Sequence, residues 1–535
     1  MALKEIAFVC TVHQDYVSPI SASDREMARC FETISNSCLP ILNMCASLEH
    51  DGVPFKLSLV LPPVLCTLLS DPLVRDRYVA WLDACSALGA KECARHRGDK
   101  NMLAQAERIV EKIQRDKACF VTQYGKDIVA AFAGYQKKGY VELLATTGTP
   151  LFMPHYADME EILNAQVETG LKAHRYFFGT VPDGFWLPEM GYAAGIERVL
   201  YSYGISYTVL DAQSVLFSDV EPKGGIFTPV RCSNSLGVLA RAQELDDAVF
   251  GQSGYAAHAC YCNQARDIGF YLPSSALTPV IKDGRSRFPV GYSYWNRVNM
   301  QPQVPAVHDP AGTDVYDVEQ ALTQCQTDAA HFVSMIREKL SRAEQLLPGA
   351  PALSLVCVYD LSRMQKWTEG MVWFEQVIRA AAQHELTLSC GTDLFLHTSS
   401  LQKINPYYGA SCGEGFGENL LSSKNAWMLR YIRKACARMI DLAERFPHDT
   451  GIKARLLNLG AKEVMLAQSL RLAEMIDDRS DPDAAAEQFS DAIRAFTTVF
   501  DSLGSNTVST EWLTDVELRH SIFPWMNYRI FGKKR

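Results

Sequence analysis

Short apolar runs alternate with helically spaced apolar stripes along the N-terminal part of the chain. The runs predict buried strands at residues 5–11, 55–61, 141–147, 205–210, 353–359 and 386–389. The stripes predict helices at residues 27–48, 158–173, 194–203, 315–346 and 372–382, the second of them capped by Asp158. Repeated β-α units of this kind predict an α/β fold with a parallel sheet, either a barrel or a doubly wound sheet.

Three segments depart from this alternation. Residues from about 70 to 138 carry only helical patterns, which predicts a helical insertion. Residues from about 213 to 310 are rich in Gly, Pro, Ser and aromatics, and we expect loops and short strands that line a cleft. After the Gly-rich loop at 407–417 the pattern is helical only. We therefore predict a barrel or sheet domain over residues 1–395 and an all-helical domain over 396–535.

Polar residues follow four successive strands or motifs of the α/β part, namely His13, Thr149, Glu189 and Asp211. The carboxyl ends of parallel strands meet at one edge, where α/β folds place their functional sites. A further acid, Asp360, closes the strand predicted at 353–359. For Asp360 the alternative is a structural residue that caps the next helix.

Glu189 lies within residues 184–192, GFWLPEMGY, beside Trp186 and other apolar side chains. A carboxylate in such company loses hydration, which is costly unless a partner or ligand uses its charge. The alternative is a solvated glutamate after a strand. Glu189 and Asp360 together form a pair of acids suited to glycosidic bond cleavage, in which one acid is ionised and the other protonated. A retaining enzyme separates the carboxyl groups by roughly 5–5.5 Å and an inverting one by about 6.5–9.5 Å.

Composition narrows the classes of function. The chain has 535 residues, 48% of them hydrophobic, enough for a large core and about two or three domains. A net charge of −9 argues against nucleic acid as the main partner. No apolar run has membrane length, and the first is too short for a signal segment. Sixteen scattered cysteines indicate a reducing cytoplasm, with a structural zinc at His258, Cys260 and Cys262 as an alternative.

Several of these segments resemble glycoside hydrolase family 57, and within it most closely the α-1,4-glucan branching enzymes. Residues 184–192 are similar to the family's nucleophile motif, and Tyr359-Asp360 stands where its acid/base is expected. Residues 266–270, 425–427 and 522–529 are similar to segments of the branching enzymes. The resemblance implies a distorted (β/α)7 barrel with a helical insertion and a C-terminal helical domain.

The same resemblance implies a function and a set of site residues. It implies a retaining enzyme, without metal or other cofactor, that cleaves α-1,4 and forms α-1,6 linkages in an α-glucan polysaccharide or maltooligosaccharide. Glu189 would be the nucleophile and Asp360 the acid/base. Substrate would be bound by His13, Trp186, Asp211, Trp367 and Gly413. Neither a membrane nor nucleic acid is an expected partner, and the sequence predicts no oligomeric state.

Some residues differ from the family pattern. Thr11 replaces the first of two histidines, Gln213 stands where a histidine is usual, and Cys412 replaces a tryptophan. Lys366, in the segment after Asp360, is either a cation directed at that acid or a solvated loop lysine. These differences leave two alternatives open: a catalytically impaired protein that binds a glucan or a partner, and an α-amylase-like hydrolase of altered specificity.

Overall fold

A computed structural model of the chain describes residues 2–297, 315–384 and 386–534. Among these residues the sheet consists of ten strands: β1 Leu3–Thr11, β2 Leu57–Val60, β3 Val141–Thr146, β4 Gly184–Trp186, β5 Tyr207–Leu210, β6 Val230–Arg231, β7 Gly237–Ala240, β8 Ala352–Asp360, β9 Thr387–Leu388 and β10 Gln402–Lys403. The predicted strands at 5–11, 55–61, 141–147, 205–210, 353–359 and 386–389 all correspond to strands of the structure.

Seven of these strands form a parallel barrel. β1, β2, β3, β4, β5 and β7 lie side by side in that order, and β8 pairs with the other side of β1. A parallel bridge between Arg241, directly after β7, and Val356 of β8 joins the two ends of the sheet. The amide of Ala242 also donates to the carbonyl of Val356, at 2.8 Å. Because this closing contact is short, the ring is a distorted barrel of the predicted (β/α)7 kind.

The α-helices surround the barrel and continue beyond it. The described ones are Asp24–Thr33, Leu39–His50, Pro63–Ser70, Pro72–Arg95, Lys100–Ala118, Ile128–Lys137, Glu160–Phe178, Ile196–Ser202, Ala212–Leu216, Gln243–Phe250, Ile268–Tyr271, Ser274–Leu277, Val318–Leu346, Leu361–Gln365, Gly370–Gln383, Gly391–Leu396, Ala426–Arg445, Gly451–Ala467, Leu470–Asp477, Pro482–Ser505 and Thr510–Arg519. Pro72–Arg95, Lys100–Ala118 and Ile128–Lys137 form the predicted helical insertion. None of the described helices is long and apolar enough to cross a membrane.

The strands are buried on both faces, which explains their nearly continuous apolar sequences. Along β1 the side chains alternate between two apolar clusters: Ala7 and Val9 belong to the barrel interior, whereas Ile6, Phe8 and Cys10 pack toward the surrounding helices. The buried interior cluster also contains Val60, Leu144, Trp186, Met190, Tyr207, Val209, Leu239, Val356, Val358 and Leu394.

The C-terminal part is helical, as predicted, and one of the places where it packs on the barrel is the loop after β3. The amide of Leu470 donates to the carbonyl of Pro150, at 2.7 Å, and Ser469 pairs with Leu151 in an antiparallel bridge. Thr149 Oγ1 also donates to the carbonyl of Met465, at 2.7 Å. Because the backbone at Ser469 is engaged in this way, the apolar stripe at 456–476 forms two helices rather than one. The domain division at about residue 395 stays a prediction.

One local expectation was wrong. The helix expected at 158–173 begins at Glu160, and Asp158 does not cap it, since its carboxylate binds the Arg433 guanidinium instead. β7 is a short strand in the segment where loops and short strands were expected, and it forms a full strand of the barrel. The end of that segment, residues 298–310, lies outside the described residues.

Candidate active site

The ends of β1, β4 and β8 bring three polar side chains together. His13 lies two residues after β1, Glu189 lies in the short turn Pro188–Met190 after β4, and Asp360 is the last residue of β8. His13 Nε2 lies 3.9 Å from Glu189 Oε1 and 3.9 Å from Asp360 Oδ1. The two carboxylate oxygens are therefore no more than twice that distance apart. This limit is compatible with the separation in retaining enzymes, roughly 5–5.5 Å, and with the lower end of the separation in inverting enzymes, about 6.5 Å.

Glu189 is held in an unusual backbone conformation. Its φ of 53° and ψ of 26° lie in the left-handed region, and Met190 follows with a φ of 47°. Such a conformation costs a non-glycine residue about 1–3 kcal/mol and persists only where the surroundings enforce it. Ser411 does so twice, since its amide donates to the Glu189 carbonyl at 2.7 Å and its hydroxyl donates to Glu189 Oε2 at 3.0 Å.

Asp360 caps a helix and faces His13 at the same time. Its Oδ1 accepts hydrogen bonds from the amide of Ser362 at 2.8 Å and from the hydroxyl of Ser362 at 2.7 Å. These bonds fix the start of helix Leu361–Gln365. Asp360 thus caps the next helix, as the alternative predicted, and the capping bonds also orient its carboxylate toward His13.

A cavity of about 940 Å³ opens beside this group and is lined by His13, Asp15, Asp360, Lys366 and Arg471. Its other walls come from the helical insertion and from the loops after β7. The volume lies at the upper end of the range for ligand sites, roughly 300–1,000 Å³. The cleft beside Asp360 is therefore open, with room for an extended ligand.

The C-terminal helices add an arginine, Arg471, to this cleft, and a glutamate of the same helix binds it. Arg471 Nη1 donates to Glu474 Oε2 at 2.5 Å. Burial alone would lower the pKa of Arg471, but neighbouring carboxylates raise it overall. Those carboxylates belong to Glu474, Asp15, Asp360 and Glu189. Burial, with a further contribution from Glu189, raises the pKa of Glu474 to about 7 against the opposing effects of Arg471 and His13.

Both tryptophans predicted to bind substrate are almost fully covered. Trp186 is 4% exposed within the barrel interior, and its carbonyl accepts a hydrogen bond from Thr146 Oγ1 at 2.9 Å. Trp367 is 2% exposed and packs against Tyr261 and Trp373, with ring centroids 5.2 and 5.5 Å away. The structure thus places both indoles in apolar clusters, and their roles in binding a sugar stay predictions.

Asp211 lies in a buried ion network at the ends of β5 and β7. Its Oδ2 binds the guanidinium of Arg241, whose Nη1 lies 3.6 Å from Asp246 Oδ2. Burial raises the pKa of Asp246, against the lowering by Arg363 and Arg241. Asp211 therefore ties two barrel strands together, and its contact with substrate stays a prediction.

Gly413 lies in the loop that carries Ser411. Its φ of 63° is left-handed, a conformation that favours glycine, and a Cβ there would come within 2.4 Å of Glu418 Oε2. Gln213 Nε2 donates to the carbonyl of Gly415 and, at 3.5 Å, to that of Ala410. Gln213, placed where a histidine was expected, thus holds this loop on the barrel.

The Lys366 side chain is exposed at the edge of the cavity. The ion pairs found among the described residues do not include Lys366.

The residues of the zinc alternative have another arrangement. His258 Nδ1 lies 3.1 Å from Asp328 Oδ2. No group of three or more His, Cys, Asp or Glu within the described ranges has an arrangement that could hold a metal ion.

Sequence reasoning anticipated the acids and His13 but missed Ser411, Arg471 and Glu474. Ser411 left one signal, its place in a Gly-rich loop beside Cys412 and Gly413. Arg471 and Glu474 fall in an ordinary amphipathic pattern that predicts only a helix. Their approach to the acids follows from the packing of helix Leu470–Asp477 on the barrel, which no local pattern encodes.

Comparison with known proteins gives two family matches. The model described as glycosyl hydrolase family 57 matches residues 7–274. The model described as 1,4-alpha-glucan branching enzyme, C-terminal, matches residues 431–531. The two matches cover the barrel from β1 to β7 with its insertion and most of the C-terminal helices, and β8 lies between them in the chain.

Curated relatives are distant. A 1,4-alpha-glucan branching enzyme of Thermococcus kodakarensis is 20% identical over 484 residues, which cover 87% of this chain and 68% of that protein. A probable 1,4-alpha-glucan branching enzyme of Mycobacterium tuberculosis is 26% identical over 389 residues, 65% of this chain and 62% of the relative. The chain thus matches less than two thirds of the mycobacterial protein's length.

Similar solved structures cover the whole fold. The alpha-amylase AmyC of Thermotoga maritima has a TM-score of 0.90 at 23% identity and covers 100% of both chains. A GH57-type branching enzyme of Pyrococcus horikoshii has a TM-score of 0.87 at 19% identity and covers 99% of this chain and 97% of its own. At these identities the likeness establishes the fold, barrel and C-terminal helices included.

Proposed function

This chain belongs to glycosyl hydrolase family 57, and from that premise we propose that it is a 1,4-α-glucan branching enzyme. Its substrate is an α-glucan such as glycogen, or a maltooligosaccharide, and its product carries α-1,6 branches. The match of residues 431–531 to the C-terminal model of branching enzymes supports this choice within the family. The sixteen free cysteines support a reducing, cytoplasmic location.

The observation that carries the proposal is the placement of two carboxylates around one histidine. Glu189 and Asp360 each lie 3.9 Å from His13 Nε2 at the carboxyl end of the barrel. The open cavity beside Asp360 and His13 provides space for a glucan chain. A pair of acids at one end of the barrel, beside an open cleft, is the arrangement that glycosidic cleavage requires.

In the first step Glu189 acts as the nucleophile. Its carboxylate attacks the anomeric carbon as the bond from that carbon to the O4 atom of the next glucose breaks. Asp360 gives its proton to that leaving oxygen, which departs as a hydroxyl on the released chain. The remaining chain is then bound to Glu189 as a covalent glucosyl ester.

In the second step Asp360, now ionised, removes the proton from a 6-hydroxyl of an acceptor chain. That oxygen attacks the anomeric carbon, forms the α-1,6 bond and releases the Glu189 carboxylate. Two displacements at one carbon retain its configuration. If water takes the acceptor's place, the same step is hydrolysis, so exclusion of water from the cleft decides between branching and amylase-like activity.

The proposal is tested with amylose. We expect wild-type protein to lower iodine absorbance and to form α-1,6 linkages, which debranching enzyme and proton NMR quantify. Glu189→Gln, which has nearly the same volume but no charge, should abolish this product. Glu338→Gln is the matched control because Glu338 is 61% exposed and its ion pair among the described residues is with Arg342 on the same helix.

The outcomes separate the candidate functions. New reducing ends without α-1,6 linkages would identify a hydrolase, and proton NMR of its first product would report whether configuration is retained. Binding of amylose without any product from the wild type would identify a binding protein and refute the enzyme. Branch formation that persists in Glu189→Gln would refute the role of Glu189.

A further inference from the structure

The large cavity lies on the side of one of the two acids of the site. Asp360 lines it, whereas Glu189 does not. In a retaining reaction the acid/base meets first the oxygen that leaves and then the oxygen that attacks. The leaving chain and the acceptor chain therefore lie on the side of Asp360, where the cavity is.

Helix Asp24–Thr33 forms one wall of this cavity and is fixed to both segments that carry the site. Thr33 Oγ1 donates to Gln14 Oε1 at 3.0 Å, and Gln14 directly follows the histidine of the site. Ser37 Oγ, just beyond the helix, donates to the carbonyl of Leu361 at 3.3 Å, and Leu361 directly follows the acid/base. Both bonds are buried, so this wall has a fixed position relative to the reacting groups.

Glu32, the residue before Thr33, is half-buried and lines the cavity. Its carboxyl group has no hydrogen bond or ion pair with another described residue. The charge of Asp267 disfavours its ionisation, and that of Arg29, which is itself bonded to Asp481, favours it. Burial is the larger effect and raises the pKa of Glu32 to about 8. At neutral pH the group is mostly protonated, and it can then both donate and accept hydrogen bonds.

Other charged side chains of the cavity are already paired. Lys112 bonds to Asp116 on the helical insertion at 2.8 Å, and Arg363 bonds to Asp246 at 3.2 Å. A polar group withdrawn from water without a partner is unfavourable for folding. Glu32 therefore costs stability in the free protein, and a ligand in the cavity would supply the partner that the fold does not.

An indole lies close to this carboxyl group. Trp81 is half-buried, lines the same cavity and packs against Phe31, with ring centroids 5.6 Å apart. Phe31 is the residue before Glu32 in helix Asp24–Thr33. Ligand sites commonly combine aromatic walls with a few polar groups that fix orientation. A pyranose matches this pair, because its ring carbons present an apolar face and its hydroxyl groups donate and accept hydrogen bonds.

We propose that Glu32 and Trp81 form a binding subsite for the acceptor glucan chain. Glu32 binds hydroxyl groups of the chain, and Trp81 contacts the apolar face of a glucose unit. This inference rests on the function proposed above. Neither residue takes part in breaking or forming the glycosidic bond. They hold the acceptor in the cavity that Asp360 lines, and so they determine how well a 6-hydroxyl competes with water for the glucosyl enzyme.

The test is the ratio of α-1,6 linkages to new reducing ends formed from amylose. Transfer creates the former and hydrolysis the latter, and both start from the same glucosyl enzyme, so the ratio does not depend on the first step. Glu32→Met has a similar volume without the carboxyl group, and at limiting amylose it should lower the ratio about three- to tenfold, as for one lost hydrogen bond. Trp81→Leu should lower it as well.

Two further variants serve as controls. Glu32→Gln keeps a carbonyl oxygen and replaces the O–H donor by N–H, so it should keep the ratio near the wild-type value. Glu111→Met carries the same kind of change on the helical insertion, where Glu111 is exposed and does not line the cavity. It should leave the ratio unchanged.

Urea unfolding separates binding from a structural role. Because the carboxyl group has no hydrogen-bond partner among the described residues, Glu32→Met should not lower the free energy of unfolding even though the ratio falls. A fall in both quantities would show a structural role and overturn the inference.

The remaining outcomes are equally decisive. An unchanged ratio in Glu32→Met, even with slower overall turnover, would overturn the role of Glu32, and an unchanged ratio in Trp81→Leu would exclude the indole. If Glu32→Met fails to fold, Glu32→Ala takes its place with the same expected fall in the ratio. A wild type that forms no α-1,6 linkages would refute the proposed function, a separate failure that the amylose assay detects first.

Discussion

Ser411→Ala tests whether the loop that supports Glu189 contributes to catalysis. The substitution removes one hydrogen bond, from Ser411 Oγ to Glu189 Oε2 at 3.0 Å, and keeps the backbone bond that holds the turn. Hydrogen bonds to a charged group contribute about 1.5–3 kcal/mol to stability. Strong bonds from a hydroxyl to a carboxylate have a donor–acceptor distance of about 2.5–2.7 Å. At 3.0 Å, and with the Glu189 side chain 19% exposed so that water can replace the donor, the lower end applies.

A loss of about 1.5 kcal/mol corresponds to roughly a tenfold lower kcat/KM, since about 1.4 kcal/mol is a factor of ten. Branching of amylose, followed as α-1,6 linkages formed at fixed pH, measures it. Ser490→Ala is the matched control, because the Ser490 hydroxyl donates to the carbonyl of Ala486, its hydrogen-bond partner among the described residues, on a C-terminal helix. Unchanged activity in Ser411→Ala, with the control also unchanged, would refute a role for this bond in holding the carboxylate.

Two further predictions concern stability. Gly170→Ala should lower the free energy of urea unfolding by several kcal/mol, because the new Cβ would lie 1.7 Å from the Thr146 carbonyl oxygen. Gly134→Ala, whose Cβ would meet nothing within 4 Å, should raise the free energy of unfolding by about 0.5–1 kcal/mol. Burial raises the pKa of Glu32 to about 8, so ionisation destabilises the folded state as pH rises from about 4.3 to 8. Glu32→Gln should therefore raise the melting temperature more at pH 8 than at pH 5, and an equal gain at both would contradict this.

The barrel was predictable to the extent that its strands carry long apolar runs. β1 and β8 each have nine residues and were evident from the sequence. β7 has only four, between a turn and a short helix, and its apolar residues are too few to separate a strand from a loop. Its identity comes from pairing with β5 and from the bridge of Arg241 to Val356, contacts that join distant parts of the chain.

The candidate site divides in the same way. Asp360 ends a strand, and His13 and Glu189 come shortly after strands, so the fold class predicts that they meet. Ser411 and Arg471 reach the group from a loop and a helix beyond the barrel. The local sequence marks Ser411 only by its place in a Gly-rich loop, and it does not mark Arg471, whose position depends on how the C-terminal helices pack, as the bond from Leu470 to Pro150 illustrates.

The residues that differ from the family pattern are connected to the acids rather than scattered around them. Gln213 bonds to two carbonyls of the Gly-rich loop, and that loop carries Ser411, which holds Glu189 in its left-handed turn. Thr11 Oγ1 lies 3.5 Å from His13 Nε2, the nitrogen that faces both acids. A site that had lost its use would not need to keep a strained glutamate supported at both its carbonyl and its carboxylate. The differences therefore argue for changed contacts with the sugar chain around a maintained pair of acids, and for altered specificity in preference to lost activity.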